Sequence, residues 1–370
     1  MAEINIENIV ANDGQRKIVK CLKRYIRERG PNALMPSFRS LSKMCRVSPL
    51  TVSDVVSDFS AKGLLVVIPR KGIYSAENLP KEILDPEKLE RVDVVMVEAG
   101  GTQNNPPAFH QEMAYQLGQQ PCILDLDVRL HRTTPGPNEA LKLRKVASDP
   151  GCQGIIISKL SSLDQLIPFE DALIPYICVY PESHELPPNR SVMIDIEELV
   201  SSQIEHLTSL GHSRIGYLHN VNPAVFHHSN LLRRETFFRL ALDRKLNIDS
   251  SIVKYGGFGP DEQKCGARAI LSATERPTAI ICNDEHLPAV YSIAGECGLD
   301  IGKDLSVVGT NNIPASCSVT PQASTLEIPR AKAVQLALEM LKKAHATPDG
   351  IVANEYVKTE LIQRQSTGHI

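Results

Sequence analysis

The feature that most constrains this chain is a long alternation of apolar and helical segments between residues 92 and 308. Short apolar runs such as Val92–Val97 and 278–282 are typical of strands buried on both faces, and amphipathic stretches such as 196–210 separate them. The alternation predicts an α/β fold class with doubly wound parallel sheets covered by helices. Because residues 92–370 exceed one comfortable sheet, we expect two similar lobes that face one cleft.

Ligands on such sheets bind beyond the carboxyl ends of the strands, so polar residues that follow apolar runs are candidate contacts. In the first part of this region the sequence predicts a helix over 108–119, a strand over Ile123–Leu126 and a helix over Asn138–Ser148. The fold class alone does not identify the ligand.

The N-terminal region shows a different pattern, with three short helices followed by a hairpin. Residues 14–29 carry apolar side chains at helical spacing, and a second helix fits Ser37–Cys45. Ser48 and Pro49 are suited to begin a third helix, as N-cap and first helical residue, and Gly63 is suited to end it in a left-handed conformation. A strand, a basic turn and a return strand then predict a winged helix-turn-helix.

These patterns predict three parts: a winged helix-turn-helix over 1–75, a proline-punctuated polar linker over 76–91, and a two-lobed domain over 92–370. Residues 1–78 hold 13 Lys and Arg against 7 Asp and Glu, whereas the whole chain has a net charge of −3. We call the N-terminal unit the head and the two-lobed domain the body. The basic charge of the head beside the acidic charge of the body indicates that the head alone binds a polyanion. A small scaffold that makes protein contacts is the alternative interpretation of this head.

Several classes of protein are disfavoured by the sequence. Nine scattered cysteines without a C-x-x-C pair favour reduced thiols over a disulfide framework or a zinc site. No apolar stretch is long enough for a membrane span, and the first residues lack the pattern of a secretory signal. No phosphate loop, nucleophile elbow or paired metal-ligand motif is found. We therefore expect a cytoplasmic protein that is not an enzyme and uses no cofactor, metal or membrane.

The head resembles the GntR family. Residues 35–42 (MPSFRSLS), 47–52 (VSPLTV), 63–64 (GL) and 70–72 (RKG) follow that family's pattern in the right order. The resemblance implies that Arg39 lies on the helix that supports the groove-reading helix and touches the DNA backbone or a base. The sequence departs from the family where Pro49 and Ser53 replace expected basic residues, and Asp54 and Asp58 add acid to the third helix.

On this basis, side chains that can donate hydrogen bonds, meet phosphates or contact a thymine methyl are candidate DNA contacts. They are Ser37, Arg39, Ser48, Leu50, Thr51, Ser53, Ser57, Arg70 and Lys71. Leu50 and Thr51 are the candidates for thymine methyl groups, and Arg70 and Lys71 form the cationic tip of the hairpin.

The body is similar to the effector domain of the LacI/GalR family. The similar segments are 207–216 (LTSLGHSRIG), 234–242 (RETFFRLAL), 276–284 (RPTAIICND), 298–309 (GLDIGKDLSVVG) and 359–367 (TELIQRQST). The resemblance implies a type I periplasmic-binding-protein-like clamshell, with three crossings between lobes near 181–195, 310–326 and 345–355. A GntR-type head on a LacI-type body is similar to the arrangement of arabinose repressors.

The same resemblance implies which residues bind an effector. The candidates are Arg234, Asn283, Asn311, His228, Asn230, Gln103 and Asn104. Arg234 would clamp hydroxyls or a carboxylate, because its planar guanidinium forms paired hydrogen bonds. Asn311 stands where the family has an aspartate, and Phe237 replaces a usual glycine. Alternative interpretations are a surface or salt-bridge residue for Arg234 and a strand-end cap for Asn283. For His228, Gln103 and Asn104 the alternative is an ordinary polar residue of a loop.

The sequence therefore predicts a ligand-responsive DNA-binding regulator, a repressor of an operon for the use of a sugar or related small molecule. Its expected partners are double-stranded operator DNA, a sugar-like effector and a second copy of the chain in a homodimer. The alternative is a solute-binding receptor of the same clamshell fold, which requires export.

Overall fold

The computed structural model describes residues 13–84, 89–97, 115–116, 118–119, 126–183, 185, 189–221, 228–346 and 352–370. The predicted helix over 108–119 lies largely outside these residues.

The N-terminal unit consists of three helices and an antiparallel hairpin. Its elements are α1 (Asp13–Arg29), α2 (Phe38–Cys45), α3 (Pro49–Ala61), β1 (Leu65–Ile68) and β2 (Gly72–Ser75). The Ser48 side chain caps α3 by accepting a hydrogen bond from the Thr51 N–H, with Pro49 in the first turn, as predicted. Gly63 follows the helix with a φ of 71°, which confirms its predicted left-handed conformation.

Apolar side chains from all three helices form the core of this unit. Leu22 of α1, Leu41 of α2 and Phe59 of α3 are completely buried. The next helix, α4 (Lys81–Leu84), adds Ile83 to the same core, and the Arg27 guanidinium donates to the Ile83 carbonyl at 3.1 Å. Part of the segment predicted as a linker therefore packs on the head.

Lobe 1 is built on a six-stranded parallel sheet in the order β13-β7-β6-β5-β3-β4. Its strands are β3 (Arg91–Val97), β4 (Asp127–Thr133), β5 (Ile155–Ser158), β6 (Tyr176–Val179), β7 (Ser191–Ile194) and β13 (Glu355–Val357). Alternate residues of β5 enter different cores: Ile155 and Ile157 pack with α5 (Glu139–Ala147) and α6 (Ile167–Asp171), and Ile156 packs with α12 (Arg330–Ala346). A 3-10 turn over Leu163–Leu166 precedes α6.

The strand predicted over Ile123–Leu126 was wrong at the end that the structure describes. Leu126 lies in a bend, and the strand β4 begins at Asp127. Four of its seven side chains are exposed and five of the seven are polar, as is usual for an edge strand. An edge strand lacks the continuous apolar run on which the prediction relied.

Lobe 2 has a second six-stranded sheet, ordered β14-β12-β11-β10-β8-β9. Its strands are β8 (Ile215–His219), β9 (Val253–Tyr255), β10 (Ala279–Cys282), β11 (Ser306–Thr310), β12 (Ser324–Glu327) and β14 (Glu360–Ile362). The helices are α7 (Ile196–Ser209), α8 (His228–Asp243), α9 (Pro260–Leu271), α10 (Leu287–Glu296) and α11 (Pro314–Ser318), with a 3-10 turn over Asp284–His286. All pairings are parallel except that of β12 with β14.

The chain crosses between the lobes three times, at residues 194–196, 327–330 and 357–360. The first crossing falls at the end of the predicted range 181–195. The second and third lie just beyond the predicted ranges 310–326 and 345–355, which correctly gave the number of crossings but ended too early. These ranges came from the family resemblance, and in this chain the strand β12 continues in lobe 2 to Glu327 before the second crossing.

Among the described residues, no helix combines the length and the apolar character that crossing a membrane requires.

Candidate functional site

Polar side chains follow three neighbouring strands of lobe 2, where the carboxyl ends of β8, β10 and β11 meet. Asn283 follows β10 and accepts a hydrogen bond through Oδ1 from Arg233 Nη1 at 3.1 Å. Asn220 follows β8 and is buried, and its Oδ1 has no hydrogen-bond partner among the described residues. Buried polar atoms are nearly always hydrogen-bonded, so this oxygen is suited to a ligand donor.

Two adjacent arginines of α8 lie over these strand ends. Arg233 is 6% exposed and belongs to the buried face of α8 with Phe237, Leu240 and Ala241. Arg234 is half-buried. The Nε atoms of both arginines are buried and lack hydrogen-bond partners within the described ranges. Sequence reasoning missed Arg233, although its spacing to Phe237 is the i, i+4 spacing of one helix face.

Phe237 packs helix α8 against the sheet of lobe 2. Its ring is fully buried and stacks on Tyr217 of β8 with ring centroids 4.7 Å apart. The family that this region resembles has a glycine at this position. In this chain the stacked pair of Phe237 and Tyr217 holds α8 against the sheet instead.

Arg234 lies close enough to His219 at the end of β8 to influence its charge. Burial, and then the charges of Arg234 and His286, lower the pKa of His219 to about 4. His219 is therefore neutral near pH 7, and its Nδ1 accepts from the Val221 N–H at 3.2 Å. A neutral imidazole beside an arginine offers hydrogen bonds without a second positive charge.

Asn311 is held by its backbone at the end of β11. Its φ of 105° lies in the left-handed region, and its carbonyl accepts two hydrogen bonds from the Arg330 guanidinium, at 2.9 and 2.7 Å. Its Nδ2 is 3.5 Å from both carboxylate oxygens of Glu285. The side chain therefore faces an acid at the edge of the cleft.

Four predicted effector contacts remain: His228, Asn230, Gln103 and Asn104. His228 and Asn230 lie in the first turn of α8, and both are half-buried. Gln103 and Asn104 lie outside the described residues.

Lobe 1 contributes an ionic contact that sequence reasoning missed. Glu182, which follows β6, accepts a hydrogen bond from Lys159 Nζ at 2.6 Å, and Lys159 follows β5. The same carboxylate accepts from the N–H and hydroxyl of Ser229 in lobe 2, at 2.8 and 2.6 Å. Burial opposes ionisation of Glu182, but Lys159 and Ser229 outweigh it and lower its pKa to about 2. The carboxyl ends of both sheets therefore face each other across one cleft, joined by Glu182.

The predicted DNA contacts lie together on the N-terminal unit. Ser37 caps α2 by accepting from the Ser40 N–H at 3.2 Å, and Arg39 is exposed in its first turn. At the start of α3, the Ser48 hydroxyl is also 2.7 Å from the Thr51 hydroxyl. Leu50, also in the first turn of α3, is 73% exposed.

The rest of the predicted set is exposed as well. Ser53 and Ser57 face solvent on α3, together with Asp54 and Asp58. The hairpin tip presents Arg70 and Lys71 to solvent, and Arg70 has a φ of 65°. The structure thus brings a polar helix face, its two acids and a basic hairpin tip onto one small unit.

The described part of the chain contains no group of three His, Cys, Asp or Glu side chains arranged to hold a metal ion.

The chain is similar in sequence to known proteins. Residues 204–367 match the family model described as "Periplasmic binding protein-like domain". The NTD biosynthesis operon regulator NtdR of Bacillus subtilis (strain 168) is 22% identical over 342 residues, which cover 90% of this chain and 100% of NtdR. The transcriptional repressor PurR of Mannheimia succiniciproducens is 27% identical over 167 residues, 45% of this chain and 49% of PurR.

Solved structures share the fold. The regulator CelR in complex with cellobiose superposes with a TM-score of 0.63 at 16% identity, covering 90% of this chain and 100% of CelR. A LacI-family regulator of Enterococcus faecium with bound ribose gives a TM-score of 0.62 at 20% identity, with 76% and 100% of the chains covered. The chain therefore contains a periplasmic-binding-protein-like domain and shares its α/β fold with LacI-family transcriptional regulators.

Proposed function

We propose that this protein is a ligand-responsive DNA-binding transcriptional regulator, a repressor of an operon for a sugar or related small molecule. One observation carries the proposal: the same chain has both a three-helix head with a hairpin and a two-lobed domain with a cleft. Buried polar atoms without hydrogen-bond partners among the described residues line that cleft. The match to the operon regulator NtdR along 90% of the chain supports the same function. We also infer a cytoplasmic homodimer without enzymatic activity.

We infer that the head, residues 1–75, is a winged helix-turn-helix of GntR type, and that the effector domain spans 92–370. The linker over 76–91 joins them, and its helix α4 packs on the head. The antiparallel hairpin β1–β2 directly after α3 supports the winged helix-turn-helix, because it supplies a wing with a cationic tip. In this proposal α3 enters the major groove. The nine residues Ser37, Arg39, Ser48, Leu50, Thr51, Ser53, Ser57, Arg70 and Lys71 contact DNA.

We infer that the effector binds between the lobes at the carboxyl ends of the strands. Arg234, Asn283, Asn311, His228 and Asn230 of lobe 2 lie at this edge. Gln103 and Asn104 are proposed for the opposite wall. The unpartnered Nε atom of Arg234 and the Oδ1 atom of Asn220 offer a donor and an acceptor, which suits a ligand with hydroxyl groups.

DNA binding is tested with the purified protein and fragments of its own promoter region. We expect binding that weakens steeply with salt, because contacts to phosphates release counterions. Absence of salt-sensitive binding in every effector state tested contradicts the proposal.

Effector binding is tested by a thermal-shift screen of sugars, sugar acids and nucleosides, since a ligand stabilises the folded state by mass action. Arg234→Ala should abolish the shift produced by a hit and leave the unliganded melting temperature nearly unchanged. Arg239→Ala is the matched control, because Arg239 lies on the same helix but is exposed and pairs with Glu197. A full shift in Arg234→Ala removes Arg234 from the site.

A further inference from the structure

The head is attached to lobe 1 by an ion pair between Arg46 and Asp171. Arg46 Nη1 lies 2.9 Å from Asp171 Oδ1. Arg46 ends α2 with a φ of 51°, in the tight turn that leads into α3. Asp171 is the last residue of α6 in lobe 1. This pair therefore joins the turn of the helix-turn-helix to the body.

Two further contacts hold the same surfaces together. Leu173, two residues after Asp171, packs against the apolar core of the head. Arg16 of α1 reaches the Ser148 carbonyl of lobe 1 at 3.5 Å. The contact with lobe 1 thus combines an apolar contact, an ion pair and a weak hydrogen bond, and it involves two elements of the head.

The position of Arg46 gives this contact a consequence for DNA. Arg46 precedes the Ser48 cap of α3 by two residues, and the N-terminal residues of a recognition helix are those that approach base edges. A cation at this place is suited to a phosphate of the DNA backbone. In the structure a carboxylate oxygen of Asp171 accepts a hydrogen bond from this cation.

We propose that Asp171 is an autoinhibitory residue that competes with DNA for Arg46. In the docked state it occupies the cation and sets a negative charge beside the surface that reads DNA. DNA binding then requires the pair to separate. The proposal rests on the DNA-binding function proposed above.

The expected effect is modest because the pair is exposed: the side chain of Arg46 is 78% exposed and that of Asp171 is 39% exposed. Exposed ion pairs contribute little, so release of Arg46 should raise DNA affinity by up to about fivefold. Salt screens such a pair, and the gain should therefore fade as ionic strength rises.

The test measures binding of the full-length protein to a short mixed-sequence DNA duplex by fluorescence anisotropy over a salt series. Asp171→Asn should bind more tightly than wild type at low salt, and the difference should vanish at high salt. Asp164→Asn is the matched control, because Asp164 is an exposed acid of the same lobe that forms no ion pair with the described part of the head. Its gain should be clearly smaller.

Two more variants separate the contact from a general change of charge. Leu173→Asn weakens the apolar contact without altering charge, and asparagine tolerates the φ of 53° at this position. It should also raise DNA affinity. Arg46→Ala should weaken binding, and adding Asp171→Asn to it should give no further gain.

The outcomes distinguish the two proposals. If wild type and all variants fail to bind any duplex at low salt, the DNA-binding function is wrong and the autoinhibitory contact with it. If wild type binds and Asp171→Asn gains no more than Asp164→Asn, only the autoinhibitory contact is wrong. An equal gain from Asp171→Asn in the Arg46→Ala background also overturns it.

Discussion

Two carboxylates buried at the cleft, Glu182 in lobe 1 and Asp284 in lobe 2, have opposite tendencies to ionise. Both lie just beyond the carboxyl end of a strand. Glu182 has Lys159 and the Ser229 donors, and its pKa is about 2. Burial raises the pKa of Asp284 to about 7, and the charge of Glu285 acts in the same direction. The Thr325 hydroxyl and the Ile313 N–H donate to this carboxylate and offset these effects only in part.

The difference shows that burial alone does not decide the charge of a group in this cleft. A neighbouring cation keeps one carboxylate ionised at every physiological pH, whereas neutral donors leave the other near its midpoint. Lobe 1 therefore presents a permanently charged ion pair to the cleft, whereas lobe 2 contains a carboxyl group that titrates near neutral pH.

The largest expected effect is on the pH dependence of stability. The folded pKa of Asp284 lies above its ordinary value of 3.8, so the folded state retains a proton that the unfolded state has lost. The contribution of Asp284 to stability should therefore fall by roughly 3 kcal/mol as pH rises from 5 to 8. Buried histidines oppose this decline in the net stability, because burial lowers the pKa of His219 and of His286 to about 4, and protonation of the unfolded state therefore favours unfolding below about pH 6.5. The contribution of Glu182 is constant in that window, because it is lost only as pH falls from about 4.5 towards 2.

Urea unfolding of wild type and Asp284→Asn at several pH values checks this prediction. The difference in the free energy of unfolding between wild type and the variant should fall by roughly 3 kcal/mol between pH 5 and 8. The loss of stability below pH 4.5 should persist in both proteins. Parallel curves for the two proteins across pH 5–8 would show that Asp284 is ionised throughout.

A smaller effect is expected when the ion pair of lobe 1 is broken. Lys159→Met leaves the Glu182 carboxylate buried without its cation. Breaking a fully buried pair is strongly destabilising, but Lys159 is 27% exposed and Ser229 still donates, so we expect a loss of about 2 kcal/mol. Lys303→Met is the control, since Lys303 forms an exposed pair with Asp300. Equal losses at the two sites would contradict the role of burial.

The smallest effect is expected at Asp171, which has a cation but little burial. Asp171→Asn should change the free energy of unfolding by less than about 1 kcal/mol, as is usual for exposed pairs. Thermal and urea unfolding at pH 7 measure it. A loss as large as that of Lys159→Met would mean that the head contact shields this pair from water.

The sequence was sufficient for elements whose signal is local. The Ser48–Pro49 start of α3 and the apolar strands β8 and β10 follow from capping chemistry and continuous burial. The strands β4 and β12 were not predicted because neither has a continuous apolar run. The side chains of β4 are largely exposed, and β12 begins with the buried hydroxyl residues Ser324 and Thr325.

The candidate site divides in the same way. Arg234 and Asn283 were predicted from motifs, and the structure places both at the cleft. The contact between Glu182 and Ser229 could not be predicted, because it joins two lobes across 47 residues and has no local pattern. Non-local pairs of this kind depend on how the lobes meet, which helical and strand periodicity does not encode.

The three crossings have a consequence for the order of synthesis. Lobe 1 comes first in the chain, yet its helix α12 and its strand β13 come from residues 330–357, after most of lobe 2. A ribosome that has just finished the last strand of lobe 2's parallel core has still not supplied the edge of lobe 1. Neither lobe can be obtained by simply cutting the gene, and a stop codon before residue 355 removes a strand from both sheets at once.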